Sequence, residues 1–334
     1  MRLIFAVYLF FLIGCATPLN SSIFTGPEVS ENEYSLSSKD LLVAGLLGES
    51  VSWGERGRLY EAESQLRKAQ WLSPDSSAVR FNLAVVLAQQ GQHEEAKLLL
   101  TALMNAIGKR PEYLLVFADI QRQEADYHSA RLSLKAAFLQ YLRADNKRQA
   151  ALVARSISNL AFLIGEEQEA LCYSYESLNQ ITDGSNVARH ALLLLGVNHI
   201  VGARDFLLAQ INGSSELKNS GFIQFVLSLT KVALGDIEGA KADIKLAKQL
   251  SVGSIDYKDQ LEAVRFLLLD KAISDGEDSS EIFTEEERLR DFAEKLSEEG
   301  GYTLLFWPEN VREMLWQSLF VPSHRNAIEQ KKAT

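Results

Sequence analysis

The feature that most constrains this chain is self-similarity at a period of 34 residues. Gly57, Ala62 and Leu66 return as Gly91, Ala96 and Leu100, and a further 34 residues bring Ala125, Ala130 and Leu134. A repeat of this length is one supersecondary unit that cannot bury its apolar face alone, so neighbouring copies must stack. Alanines at fixed places mark close helix crossings, and larger apolar residues fill the holes beside them. Glycine between two helices accepts a left-handed backbone at no steric cost. Only six prolines in 334 residues suit long helices better than strands and turns. The chain reads as all-α, built from stacked helical hairpins.

The pattern resembles the tetratricopeptide repeat. In the first copy (43–76) Trp53, Gly57, Ala62, Leu66, Ala69 and Pro74 fall where that family wants them. In the second (77–110) Leu83, Ala84, Leu87, Gly91, Ala96 and Leu100 do so, with Leu103 and Gly108 in place of the late alanine and proline. The third (111–144) supplies Phe117, Ala118, Tyr127, Ala130, Leu134 and Ala137. Asp145 to Ala150 read as an insertion that lengthens a helix. A fourth copy (about 151–184) keeps Ser158, Gly165 and Ala170, and a fifth (about 184–217) keeps Ala191, Ala203 and Leu207. The sixth (221–254) has Leu227, Ser228, Gly235, Ala240, Ile244 and Ala247. The resemblance implies a right-handed α-solenoid over 39–254, curved and elongated, with degenerate middle repeats.

The remainder, 255–334, is expected to cap the array. Leu261, Val264, Leu267, Leu268 and Ala272 mark an amphipathic helix, and 275–299 is strongly acidic, read as a solvated helix face. Tyr302, Phe306, Trp307, Trp316 and Phe320 form an aromatic cluster expected to pack a last helix onto the array, with Pro308 as that helix's first residue.

The other strong signal is at the start. Arg2 precedes an unbroken apolar run from Leu3 to Ile13, then Gly14 and Cys15. Eleven residues cover roughly 16 Å as a helix, too short for a ~30 Å hydrocarbon core, so the run reads as a secretory leader. Leu12-Ile13-Gly14-Cys15 resembles the lipobox of bacterial lipoproteins. That resemblance implies loss of 1–14, a diacylglycerol on the Cys15 thiol and an acylated amino group. Ala16, in place of an aspartate, implies delivery to the outer membrane, facing the periplasm. The lipidated N-terminus and a polar stretch, 15–38 with Pro18 and Pro27, read as a tether.

Charge and chemistry narrow the function classes. Net charge is −10, and losing Arg2 makes it −11. A chain of that sign is a poor general binder of nucleic acid and is not held to anionic lipid by charge. With Cys15 acylated no intramolecular disulfide can form, and Cys172 reads as a small buried apolar residue. The five histidines show no metal-ligand spacing; His190 and His199 read as packed or solvent-exposed. No HExxH motif, nucleophile elbow or phosphate-cradling glycine loop occurs, so neither a metal, a cofactor nor an enzymatic activity is expected.

Carried over from the resemblance, the concave groove is lined by Phe81 and Val85, then Asp119, Arg122 and Gln123, then Arg155 and Asn159, with Arg189 as an extension. Arg155 and Asn159 resemble half of a clamp for a peptide's terminal carboxylate, although Phe222 and Val226 stand where such a clamp needs basic residues. The implied function is a lipid-anchored scaffold. It would hold envelope proteins in assembly of a pilus or secretion system, through an extended peptide or helix in the groove. Alternatives are an adaptor for cell-wall hydrolases or proteases, and a polysaccharide-binding or enzymatic factor with its site in 255–334.

Overall fold

The computed structural model describes residues 37–250, 264–265, 267–268 and 307–320. The leader, Cys15, the tether up to residue 36 and the acidic stretch lie outside them, while Ser37 and Ser38 belong to the start of the first helix. Every regular element among the described residues is an α-helix. The chain divides into two compact units between Gly165 and Glu166.

The first unit holds α1 (Ser38–Glu55), α2 (Leu59–Leu72), α3 (Ser77–Gln89), α4 (His93–Ile107), α5 (Pro111–Gln123), α6 (Tyr127–Arg143) and α7 (Lys147–Leu163). α1 pairs with α2, α3 with α4, and α5 with α6, while α7 packs on α6. The repeat pattern explains the pairing. Ala62, Ala96 and Ala130 are fully buried, as are Ala69 and Ala137 one register later. At such places helix axes approach to about 8–10 Å only if side chains are small. Leu103, standing where the late alanine is lost, is buried too. The insertion lengthens two helices: α6 and α7 each have 17 residues, against 13 in α3 and α5.

The hairpin turns obey one rule. Gly57, Gly91, Gly165 and Gly235 all have φ between +72° and +81°. Where the sequence has no glycine, Ala125, Asp145 and Asn198 take the same left-handed conformation, at φ +61°, +50° and +62°. At six of these turns the next amide hydrogen-bonds five residues back, as from Gln92 to the Leu87 carbonyl at 2.8 Å. That bond occupies a carbonyl the ending helix cannot use, as in a Schellman motif. The residue supplying the amide then caps the following helix: the Asp126 and Asn146 side chains accept from the amides of Ser129 and Gln149.

The second unit holds α8 (Glu167–Gln180), α9 (Gly184–Gly196), α10 (Ile200–Gly213), the short α11 (Ser215–Lys218), α12 (Gly221–Ala233), α13 (Ile237–Leu250) and α14 (Glu309–Phe320). α9 packs on α8, α10 and α12, and α12 also meets α10, α11, α13 and α14. Ala191, Ala203, Leu207, Ala240 and Ala247 are fully buried, which places the degenerate fifth repeat and the sixth in one core. A Cβ at Gly184 would lie 2.6 Å from Ser220 Oγ. Because that hydroxyl caps α12, only glycine lets the start of α9 approach so closely. Val264, Leu267 and Leu268 join the core, as do Trp307, Val311 and Leu315. Tyr302, Phe306 and the Trp316 and Phe320 side chains lie outside the described residues.

Cys172 corrects one expectation: it is exposed, not buried. It sits two residues after buried Ala170 and two before buried Ser174. A two-residue step turns about 200° on a helix, which puts it on the far face.

Candidate partner-binding site

The proposed groove residues separate into three environments. Phe81 and Val85 are core residues, both buried on α3, and the Phe81 ring meets Tyr113 of α5 at 5.1 Å between centroids. α3 is enclosed by α1, α2, α4 and α5. Their task is packing. Next to Phe81, Asn82 is fully buried, and its amide has no hydrogen-bond partner among the described residues.

Asp119, Arg122 and Gln123 form a partly exposed network on the last turns of α5. Spacings of three and four residues bring their side chains to one face. Arg122 Nε and Nη2 lie 3.1 and 2.5 Å from Asp119 Oδ1, and Gln123 Nε2 donates to Asp119 Oδ2 at 2.8 Å. Gln123 also reaches α4, with its Oε1 2.9 Å from His93 Nε2. Beside it Lys97 Nζ pairs with Glu124 at 2.6 Å, and with Glu94 at 3.2 Å. These bonds, the one to Glu124 foremost, hold the Lys97 ammonium above its usual range. The repeat pattern gave no signal for this link between α4 and α5, because His93, Lys97 and Glu124 are not signature positions.

Arg155 and Asn159 are half-buried on α7, with Ala154, Ile157 and Ser158 buried among them. A four-residue spacing sets the pair on one helical face. Arg189 belongs to the second unit. Its Nε is 3.3 Å from Ser185 Oγ, and its guanidinium carbon lies 5.8 Å from the Phe222 ring centroid. Such a cation–π contact draws the guanidinium onto the face of α12. Phe222 in turn stacks on Phe225, and Val226 is fully buried.

The second unit holds one polar group that sequence reasoning left undecided. His190 is buried on α9, its Nδ1 3.0 Å from Ser174 Oγ on α8 and its ring edge-on to Phe206 on α10 at 4.9 Å. Burial pushes its pKa below the ordinary imidazole value. His199 is exposed at the N-cap of α10. Among the described residues, no three His, Cys, Asp or Glu side chains gather as metal ligands. On α5 and α7 the arrangement leaves hydrogen-bonding and charged side chains part-exposed.

Comparison with known proteins agrees with the hairpin geometry. A tetratricopeptide-repeat family model matches residues 55–120. No curated protein matches the chain by sequence. Among solved structures, a tetratricopeptide repeat protein from Parabacteroides merdae superposes with a TM-score of 0.55 at 16% identity, covering 84% of this chain and 99% of that one. PilF of Pseudomonas aeruginosa superposes at 0.49 and 18% identity, covering 66% and 97%. The 34-residue register and the left-handed turns agree with the family-model match over 55–120, and the fold is all-α, built from helical hairpins of tetratricopeptide type.

Proposed function

We propose that the protein is a lipid-anchored scaffold of the outer membrane, facing the periplasm, that holds envelope proteins while a pilus or secretion machine assembles. The observation that carries this reading is the run of tetratricopeptide hairpins, whose repeats serve as protein–protein interaction scaffolds. The leader and lipobox support the anchor: several acyl chains on Cys15 give durable attachment, because one chain alone is marginal. Tethering raises the local concentration of a bound partner, an effect lost when the soluble part diffuses freely.

Partner contact is assigned to Asp119, Arg122, Arg155 and Asn159, the part-exposed polar residues on α5 and α7. The test is to change all four to alanine in the membrane-anchored protein, then measure thermal stability and co-purifying proteins. All four are part-exposed polar side chains, and replacing each should cost about 0.5 kcal/mol or less. Normal folding with partners lost is the expected result. Normal folding with every partner retained would move the site away from these residues.

A further inference from the structure

The first unit carries unpaired positive charge at one end. α4 stops at Ile107, and Lys109 and Arg110 lead into α5. α6 stops at Arg143, and Lys147 and Arg148 open α7. Short turns fold α6 back on α5 and α7 back on α6, so both junctions lie at the same end of these three helices. Tyr141, near the end of α6, has the Glu112 carboxylate in the first turn of α5 as a hydrogen-bond partner, which ties the two junctions together. All five cations are exposed, and none has an ion-pair partner among the described residues. Only Glu112 and Asp145 oppose them within 107–112 and 143–149, in a chain whose net charge is −10.

Stability does not account for where these charges stand. A helix N-terminus is the positive end of its dipole, so acids are favoured in the first turn and cations are not. α1, α2 and α4 follow that rule with Asp40, Glu61 and the pair Glu94 and Glu95. α7 has no acid in its first turn and begins with Lys147 and Arg148 instead. α5 starts from Arg110, a pure donor that cannot cap it, with Lys109 just before. Arg143 alone sits at a negative helix end, where a cation is favoured. The other four raise the positive potential of this end against the preference of the fold, and a local rule broken without gain to the fold points to a use outside it.

We propose that this end of α5, α6 and α7 docks a short acidic segment of a partner polypeptide, several Asp or Glu side chains in series. The proposal rests on the scaffold reading and adds a charged contact to the four polar residues on α5 and α7. The form of the anion follows from the surroundings. A long uniform polyanion, such as nucleic acid or an anionic bilayer, would also meet the acidic remainder of the chain. A single small anion gains little from exposed cations on two separate junctions, because solvent screens each pair. A short run of carboxylates meets the cations together and little else.

The test is peptide binding by the detergent-solubilised full chain. The probe is a short fluorescein-labelled peptide of alternating aspartate and serine, read by anisotropy beside its neutral counterpart of asparagine and serine. Wild type should bind the acidic peptide and not the neutral one, and should lose affinity as salt rises. Lys147→Glu/Arg148→Glu and, separately, Lys109→Glu/Arg110→Glu should each weaken binding about tenfold or more. The first pair puts acids at the start of α7, so that variant should melt at or above the wild-type temperature, and its lost binding is then not lost folding. Unchanged affinity in either variant, no binding by wild type, or equal binding of the neutral peptide overturns the proposal. An oligonucleotide of matched charge that binds wild type as tightly as the peptide overturns it too, by making this end a general polyanion surface. Asp119, Arg122, Arg155 and Asn159 are intact in both variants and no anchor enters the assay. A failure here is therefore distinct from a failure of the anchored protein to retain partners.

Discussion

Ala125 sits in a left-handed turn that its register mates Gly57 and Gly91 occupy as glycines. That conformation costs a residue with a Cβ about 1–2 kcal/mol. Ala125→Gly relieves it, offset in part by the greater freedom glycine gives the unfolded chain. The variant should gain about 0.5–1 kcal/mol in a denaturant titration; a loss would mean Ala125 has packing value in the turn. His190 makes the opposite kind of residue-scale demand. Its imidazole is buried and its pKa is depressed by desolvation, so the folded state prefers the neutral ring. Its contribution is intact above the unfolded value of 6.5 and is lost as pH falls below it, at no more than about 1.4 kcal/mol per pH unit. Melting temperature should therefore drop more steeply from pH 7.5 to 5 in wild type than in His190→Gln. Parallel curves would show that the ring is protonated without penalty.

At the scale of the element, each hairpin is a compromise between a crossing that needs small residues and a turn that needs a left-handed one. Ala96 lies at such a crossing with no accessible surface, whereas Leu98 on the same helix is 71% exposed. A large side chain at Ala96 has nowhere to go, and overpacking should cost about 1–3 kcal/mol for Ala96→Leu. Leu98→Ala, two residues away, should change stability by less than about 0.5 kcal/mol. Equal effects in thermal denaturation would mean that the register of α4 is misassigned. Ion pairs contribute on a smaller scale. Arg67 bridges from Glu63 on its own helix to Glu95 on α4, at 2.9 Å to each, but all three are partly exposed and solvent screens them.

For the whole molecule, the scaffold reading requires an attachment as well as a surface. Cys15 is the residue expected to provide it. Metabolic labelling with a palmitate analogue should mark the wild-type protein and leave Cys15→Ser unlabelled. Equal labelling would remove the anchor from the proposal while leaving the hairpin surfaces untouched.

The repeat period alone specified the pairing of α1 with α2, α3 with α4 and α5 with α6, and the buried alanines, because helix crossings impose the same size limit in every copy and leave it written at fixed intervals. It located Gly57, Gly91 and Ala125 as turn positions, but not Asn198 or Asp145, since several residue types can adopt a left-handed turn at modest cost and no single letter marks it. Groove lining was less legible. A first-helix position is exposed or buried according to which neighbours enclose it, which is why Phe81 and Val85 are core while Asp119 and Asn159 are not. The links of Gln123 to His93 and of Asn310 to Ala233 join residues 30 and 77 positions apart. Such polar pairings depend on side-chain direction across packed helices, which sequence periodicity does not encode and only the tertiary structure decides.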